Sequence, residues 1–118
     1  MTPMVDPCMN IWFNNGGVDG KEMWVDVWND NSVGIQIMSI HVYWPDLNGV
    51  LEKVNLNGAD IWQGADDPPD AWIPGGDFIW PGSNLLRFIF KFDAQPPPAM
   101  YWVDIEFLGG CHVSGGGT

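Results

Sequence analysis

Apolar and polar residues alternate with a period of two along most of this chain, and no segment keeps a helical period over three turns. Such alternation is typical of strands with one face in a core and one face in solvent. About seven short strands are predicted, at residues 9–13, 22–28, 33–44, 51–56, 60–62, 85–92 and 100–108. Short strands separated by turn residues indicate an all-β, immunoglobulin-like antiparallel β-sandwich.

The third predicted strand contains a change of phase. Its alternating apolar residues run from Val33 to Ile37 and resume at Ile40, one residue out of step. A β-bulge or strand break near Met38 and Ser39 would keep both sets on the inner face.

The last two predicted strands follow each other in the chain, and we expect them to form a hairpin. Their outward positions carry opposite charges, Arg87 and Lys91 on one strand and Asp104 and Glu106 on the other. Cross-strand pairs of this kind contribute roughly 0.2–1 kcal/mol each.

A polar stretch rich in Pro and Asp covers residues 63–77, and we expect it to be a loop that contains Trp72. Calcium takes several oxygen ligands from one loop. The carboxylates that could supply them are Asp60, Asp66, Asp67, Asp70 and Asp77. Their spacing does not match Asp-x-Asp-x-Asp-Gly, so we expect a solvated acidic loop, with a calcium site as the alternative.

Length and charge narrow the functional classes. A chain of 118 residues corresponds to one domain. Its net charge of −11 argues against nucleic acid, whose phosphates need Lys and Arg, and against an anionic membrane surface. No apolar stretch is long enough to predict a membrane-spanning helix, so we expect no membrane insertion.

Two cysteines, Cys8 and Cys111, lie on either side of the predicted strands. They predict one disulfide that clamps the ends of the domain, and hence an exported protein. Two buried thiols are the alternative. We expect an N-terminal arm or linker at residues 1–7, the sandwich at 8–112 and a flexible Gly-rich tail at 113–118. The arm could add a strand to a neighbour's sheet edge, or it could be a frayed terminus.

Aromatic side chains at outward positions are the candidate binding residues. Eight Trp occur in the chain. The predicted contact residues are Trp24, Trp28, Tyr43 and Trp102. Asp26 lies between the first two, which indicates that this face of the strand meets solvent. The rings could stack on sugars, anchor a protein interface, or be covered by another part of the same chain.

Catalytic signatures are missing from the sequence. No nucleophile elbow, HExxH motif or Gly-rich phosphate loop is present. The two histidines, His41 and His112, have no partner at a metal-ligand spacing. We therefore predict that the protein is not an enzyme and has no cofactor and no metal site.

A set of residues spread over nearly the whole chain forms a recognisable pattern: Val27-Trp28-Asn29, Ile40-His41-Val42-Tyr43-Trp44-Pro45, Leu51…Val54-x-Leu56-x-Gly58-x-x-Ile61-Trp62-x-Gly64, Pro81-Gly82-Ser83, Leu86…Phe88-x-Phe90 and Tyr101…Phe107-x-x-Gly110-Cys111. This pattern resembles an Ig-like module of secreted, surface-attached and pilus-associated bacterial proteins. It implies an adhesive or spacer module without catalytic residues.

A second resemblance rests on the placement of Cys8, Val25-x-Val27-x-Asn29, Pro81-Gly82-Ser83 and Gly109-Gly110-Cys111. In these features the chain is similar to family 2 carbohydrate-binding modules, which are sandwiches of similar size with Cys at both ends. The chain differs from that family in its acidity and its few Ser and Thr.

Together these features predict a non-catalytic structural or adhesive module of a bacterial surface protein or pilus-like appendage. We expect it to be extracellular and to contact other protein modules or copies of itself. A carbohydrate-binding module that uses surface Trp residues to hold polysaccharide is the alternative.

Overall fold

Ten strands make up the regular structure of the computed structural model, which describes residues 10–30, 35–74, 79–80, 84–94 and 101–116. They are β1 (Ile11–Asp19), β2 (Glu22–Asn29), β3 (Ile35–Tyr43), β4 (Leu51–Leu56), β5 (Ala59–Asp66), β6 (Asp70–Pro74), β7 (Ile79–Trp80), β8 (Asn84–Phe92), β9 (Trp102–Phe107) and β10 (Cys111–Gly115). A short 3-10 turn at Asp46–Asn48 follows β3. The described ranges contain no α-helix, and therefore no helix in them is long and apolar enough to cross a membrane.

The first sheet has five antiparallel strands in the order β1-β2-β8-β4-β5. Strand β8 is its centre, with Phe88 opposite Val25 on one side and opposite Leu56 on the other. Two tight turns close its hairpins, at Gly20 and at Asn57-Gly58. Gly20, Asn57 and Gly58 have φ values of 61°, 48° and 93°. These positive angles suit Gly and Asn, which adopt them at little cost.

The second sheet has the order β10-β9-β3-β6, and β7 pairs with the beginning of β3. All of its pairings are antiparallel. Strand β3 lies between β9 and β6, so that His41 is opposite Asp104 on one side and Trp72 on the other. This register brings outward residues from three strands together.

The core lies between the two sheets, because alternate residues of each strand point inward. On β8, Leu86, Phe88, Phe90 and Phe92 are fully buried. The buried residues of the second sheet include Ile37, Ile40, Val42, Ile73, Val103, Ile105 and Phe107. Full burial of one such side chain stabilises the fold by roughly 1.5–3 kcal/mol. Two antiparallel sheets around one apolar core fit a β-sandwich, which confirms the predicted all-β architecture.

A buried polar pair links the 3-10 turn to the start of β9. Asn48 Nδ2 donates a hydrogen bond to Tyr101 Oη over 2.9 Å, and the Tyr101 hydroxyl and Asn48 Oδ1 are 3.1 Å apart. Burial raises the pKa of the Tyr101 hydroxyl, and the hydrogen bond with Asn48 opposes part of that rise. Because both side chains are enclosed, the pair satisfies polar atoms that would otherwise be costly to bury.

Cys111 is buried at the start of β10, whereas Cys8 lies outside the described residues. The Cys8–Cys111 disulfide therefore stays a prediction. The predicted arm at residues 1–7 also lies outside the described residues. Strand β10 continues through Gly115, so the residues at 113–115 belong to the sheet although we expected them in a flexible tail.

Several local predictions are confirmed. Strand β4 has the predicted bounds, and the turn that follows it is at Asn57-Gly58. The pairing of β3 with β9 shifts register between Ile37 and Ser39, where the change of phase in the sequence predicts a bulge.

The predicted hairpin of the last two long strands is wrong. Strands β8 and β9 lie in different sheets and so do not pair with each other. Arg87 therefore cannot pair with Asp104 across a hairpin. Its side chain meets Asp26 of β2, the neighbour of β8 in the first sheet.

The predicted loop is also wrong for residues 63–74, and its residues 75–77 lie outside the described residues. Strand β5 continues to Asp66, and β6 begins at Asp70 after a short turn with a cis peptide bond between Pro68 and Pro69. Trp72 therefore lies on a strand, with its neighbours Ala71 and Ile73 buried. The described residues contain more strands than the seven that we expected, because β6, β7 and β10 were not predicted.

Candidate functional site

Three large aromatic side chains share the outer face of the second sheet, which we call the aromatic face: Tyr43 on β3, Trp72 on β6 and Trp102 on β9. They are 41%, 64% and 50% exposed. Tyr43 is directly opposite Trp102, and Trp72 is opposite His41, two residues before Tyr43 on β3. Strands lie about 4.8 Å apart, so the rings span roughly 10 Å across three adjacent strands.

His41 lies at the base of this face and is only 9% exposed. Its ring stacks on Trp72 with centroids 3.7 Å apart and planes inclined by 22°. The Tyr43 ring is tilted against it at 4.2 Å. His41 therefore supports both neighbouring rings from below and limits their movement.

Hydrogen bonds fix the orientation of the His41 ring. Its Nε2 is 2.7 Å from Asp70 Oδ2, and its Nδ1 is 3.2 Å from Tyr43 Oη. An ionised carboxylate only accepts hydrogen bonds, so Nε2 carries a proton and donates it to Asp70. In the neutral ring, Nδ1 then accepts from the Tyr43 hydroxyl. Both ring nitrogens of this buried residue are thereby satisfied.

A second polar cluster extends the aromatic face onto β9 and β10. Asp104 accepts hydrogen bonds from His112 Nδ1 at 2.9 Å and from Ser114 Oγ at 2.5 Å. His112 Nε2 is 3.5 Å from Glu106, and Ser39 Oγ donates to Glu106 over 3.4 Å. The carboxylates remain partly exposed, so they give the aromatic face an acidic border.

The outer face of the first sheet is organised differently. Asp26 is buried, and Arg87 donates to both of its carboxylate oxygens over 2.8 and 2.9 Å. This bidentate pairing raises the pKa of Arg87. Asp26 lies on the outer face of the first sheet, as the sequence predicts, but its carboxylate is buried because the cross-strand Arg87 covers it.

Trp24 lies under the same arginine. The Arg87 guanidinium carbon is 4.2 Å from the centre of the Trp24 ring, within the range of a cation–π contact. On its other side, the ring rests over Gly17 of β1. A Cβ at Gly17 would come within 2.7 Å of the ring. Trp24 is therefore half-buried and packed against its own sheet.

Trp28 belongs to a separate row on the first sheet. It is directly opposite Trp12 of β1 and Leu85 of β8. Trp12 and Leu85 are exposed, and Trp28 between them is half-buried. The four predicted contact residues thus do not form one site: Trp24 and Trp28 lie on the first sheet, and Tyr43 and Trp102 lie together on the second.

A shallow depression of about 560 Å³ lies on the outer side of the first sheet. Its lining residues are Glu52, Lys53, Gln63, Gly64 and Lys91. Lys53 is directly opposite Lys91, and its ammonium group is 3.5 Å from Asp60. The pKa of Asp60 is lowered, first by a hydrogen bond from Asn55 and further by the nearby Lys53, while burial opposes the shift.

The predicted acidic loop is dispersed by the fold. Asp60 and Asp66 lie on β5, Asp67 lies in the turn, and Asp70 contacts His41 on the second sheet. Asp77 lies outside the described residues. Within the described ranges, no group of three or more His, Cys, Asp or Glu side chains is arranged to hold a metal ion.

Sequence reasoning missed Trp72, His41 and Asp70. The signal for Trp72 was the short alternation from Ala71 to Ile73, which is hidden by the prolines on both sides. His41 and Asp70 are 29 residues apart, and only the pairing of β3 with β6 brings them together.

Comparison with known protein families gives no match for this chain, and comparison with curated proteins gives none either.

Proposed function

We propose that the protein is a non-catalytic module of a bacterial extracellular surface protein or appendage, with a structural or adhesive role exerted through protein contacts. The observation that carries this proposal is the aromatic face: Tyr43, Trp72 and Trp102 expose their rings together on a rigid sheet. Contiguous exposed aromatic surface is typical of interaction sites.

The chemistry of the aromatic face suits a protein interface. Trp and Tyr are enriched among the residues that dominate binding energy, since they bury a large area with few rotatable bonds. His41 stacks on Trp72 and is held by Asp70, so the Trp72 side chain is already partly ordered in the free protein. Less side-chain conformational entropy is therefore lost when a partner binds. Such preorganisation favours binding.

The order of the strands supports an immunoglobulin-like topology for the module. In that fold the sheets contain strands A-B-E-D and G-F-C. The orders β1-β2-β8-β4 and β10-β9-β3 correspond to them, with β5, β6 and β7 inserted between the D and E positions. Tyr101 immediately before β9 occupies a place similar to the tyrosine corner, although its hydroxyl contacts the Asn48 side chain.

An exported location belongs to the same proposal. A disulfide between Cys8 and Cys111 would tie the segment before β1 to the first residue of β10, in an oxidising environment. Mass spectrometry of the protein before and after reduction tests this link, because reduction of one disulfide to two thiols adds the mass of about two hydrogen atoms.

The functional test removes the rings of the aromatic face. In the parent surface protein, Trp72→Ala with Trp102→Ala is expected to reduce assembly or adhesion by more than tenfold, as loss of two interface anchors does. Leu47→Ala is the matched control, because Leu47 is 76% exposed in the 3-10 turn, outside both sheets. Unchanged assembly and adhesion in the double variant would falsify the proposal.

Carbohydrate binding is the second candidate function, and one observation favours it. The partly exposed carboxylate of Asp70 lies beside the rings of Tyr43 and Trp72, so apolar stacking surface and a hydrogen-bond acceptor meet in one place. Sugar hydroxyls donate to carboxylates, and the apolar faces of pyranose rings stack on aromatic rings. Titration with soluble oligosaccharides would then change the Trp fluorescence, and Trp72→Ala would abolish the change. A flat titration in the wild-type protein argues against this candidate.

A further inference from the structure

Positive charge is confined to one side of this molecule. The chain has four Lys and Arg: Lys21, Lys53, Arg87 and Lys91. Lys53, Arg87 and Lys91 lie on β4 and β8 of the first sheet, and Lys21 lies in the turn between β1 and β2. The strands of the second sheet contain no Lys or Arg. The two outer faces are therefore chemically different.

The aromatic face combines rings with negative charge. Asp104 and Glu106 border it on β9, and their side chains are 26% and 38% exposed. The depression on the first sheet brings two lysines together, Lys53 and Lys91, beside Glu52, and the Lys53 ammonium group is 3.5 Å from Asp60. Lysine ammonium groups bind both to carboxylates and to the faces of Trp rings. The two lysines of the depression are thus chemically complementary to the rings and carboxylates of the aromatic face.

We infer that the aromatic face of one copy docks onto the Lys53–Lys91 depression of a second copy. This inference rests on the proposed structural function and identifies the partner as the chain itself. The outer faces of the two sheets of a sandwich point in opposite directions. Each docked pair therefore leaves one surface of each kind unoccupied, and a contact between unlike surfaces continues into an open chain of molecules.

The net charge of −11 per copy opposes this association at long range. At an ionic strength of about 0.15 M the Debye length is about 8 Å, so repulsion between distant charges is screened while contacts within the interface persist. The association should be measured under these conditions.

The test uses two variants, each of which disables one surface. Trp72→Ala with Trp102→Ala removes the aromatic face, and Lys53→Glu with Lys91→Glu reverses the depression. In sedimentation velocity the wild-type protein is expected to grow beyond a dimer as its concentration rises toward 1 mM. Each variant alone is expected to associate at least tenfold more weakly. An equimolar mixture of the two should stop at a dimer, because each variant retains the surface that the other lacks.

Controls separate a lost contact from a lost fold. Leu47→Ala should associate as the wild-type protein does, and circular dichroism should show an unchanged fold in every variant. If the glutamate variant unfolds, Lys53→Gln with Lys91→Gln replaces it, with the same expected dimer in the mixture.

Three results would overturn the inference: a monomeric wild-type protein at about 1 mM, association that stops at a dimer, or a mixture of the two variants that forms no dimer. If the parent protein still loses assembly or adhesion in Trp72→Ala with Trp102→Ala while purified copies remain monomeric, the proposed function stands and the partner is a different protein.

Discussion

Trp24 and Trp72 occupy equivalent positions, each at an outward place on a strand of a sandwich, yet the two outer faces use them differently. Trp24 is enclosed between Gly17 and the Arg87 guanidinium, and it belongs to the packing of the first sheet. Trp72 rests on His41 and leaves 64% of its surface in solvent. The neighbours across the strands decide whether an outward ring stabilises the fold or remains available to a partner.

The polar residues beneath the rings differ in the same way. On the first sheet, the Asp26 carboxylate is buried and depends on Arg87 for its hydrogen bonds. On the second sheet, the Asp70 carboxylate is partly exposed, and water can replace His41. We therefore expect substitutions on the first sheet to affect stability and substitutions on the second sheet to affect binding.

The largest effect on stability is expected for Arg87→Ala. This change leaves the Asp26 carboxylate buried without its bidentate partner and uncovers the Trp24 ring. Loss of one partner from a fully buried pair costs about 3–5 kcal/mol, and we expect about 2–4 kcal/mol because half of the Arg87 side chain is exposed. Urea denaturation measures the change in the free energy of unfolding.

Lys91→Ala provides the matched control, since it removes an exposed cation from the same face of β8 and should change stability by less than about 0.5 kcal/mol. If the two substitutions lower the free energy of unfolding equally, the Asp26–Arg87 pair contributes no more to stability than an exposed lysine does.

A smaller loss of stability is expected for Gly17→Ala. The new methyl group would lie 2.7 Å from the Trp24 ring, and overpacking of this kind costs about 1–3 kcal/mol. The comparison that isolates the ring is the same substitution in a Trp24→Ala background, where the methyl group has room. If Gly17→Ala costs as much in that background, the Trp24 ring is not the cause.

The sequence was sufficient to predict β2, β3, β4, β8 and β9 and their inward residues, because period-two alternation depends on local burial alone. The register shift at Ile37 and Ser39 could be predicted for the same reason, as a break in that alternation. Alternation carries no information about which strands are neighbours. The sheet to which β8 belongs, and hence the partner of Arg87, could not be predicted from it.

The candidate site was only half predictable. Tyr43 and Trp102 were identified as outward aromatics, and the pairing of β3 with β9 places them side by side. Trp72 was assigned to a loop because β6 has five residues and ends at a proline. The outward position of Asp26 could be predicted from its charge, but its burial could not, because the arginine that covers it is 61 residues away.

The smallest effect on stability is expected for Trp72→Ala, and this prediction tests the contrast between the two faces most directly. Most of the Trp72 ring is in solvent, so its removal takes away little buried area, and His41 keeps its hydrogen bonds to Asp70 and Tyr43. The free energy of unfolding should change by no more than about 0.5 kcal/mol. Trp24→Ala should cost more than that, because it removes a packed ring. Urea denaturation of both variants measures the two losses of stability. If Trp72→Ala destabilises the protein as much as Trp24→Ala does, the aromatic face serves the fold rather than a partner.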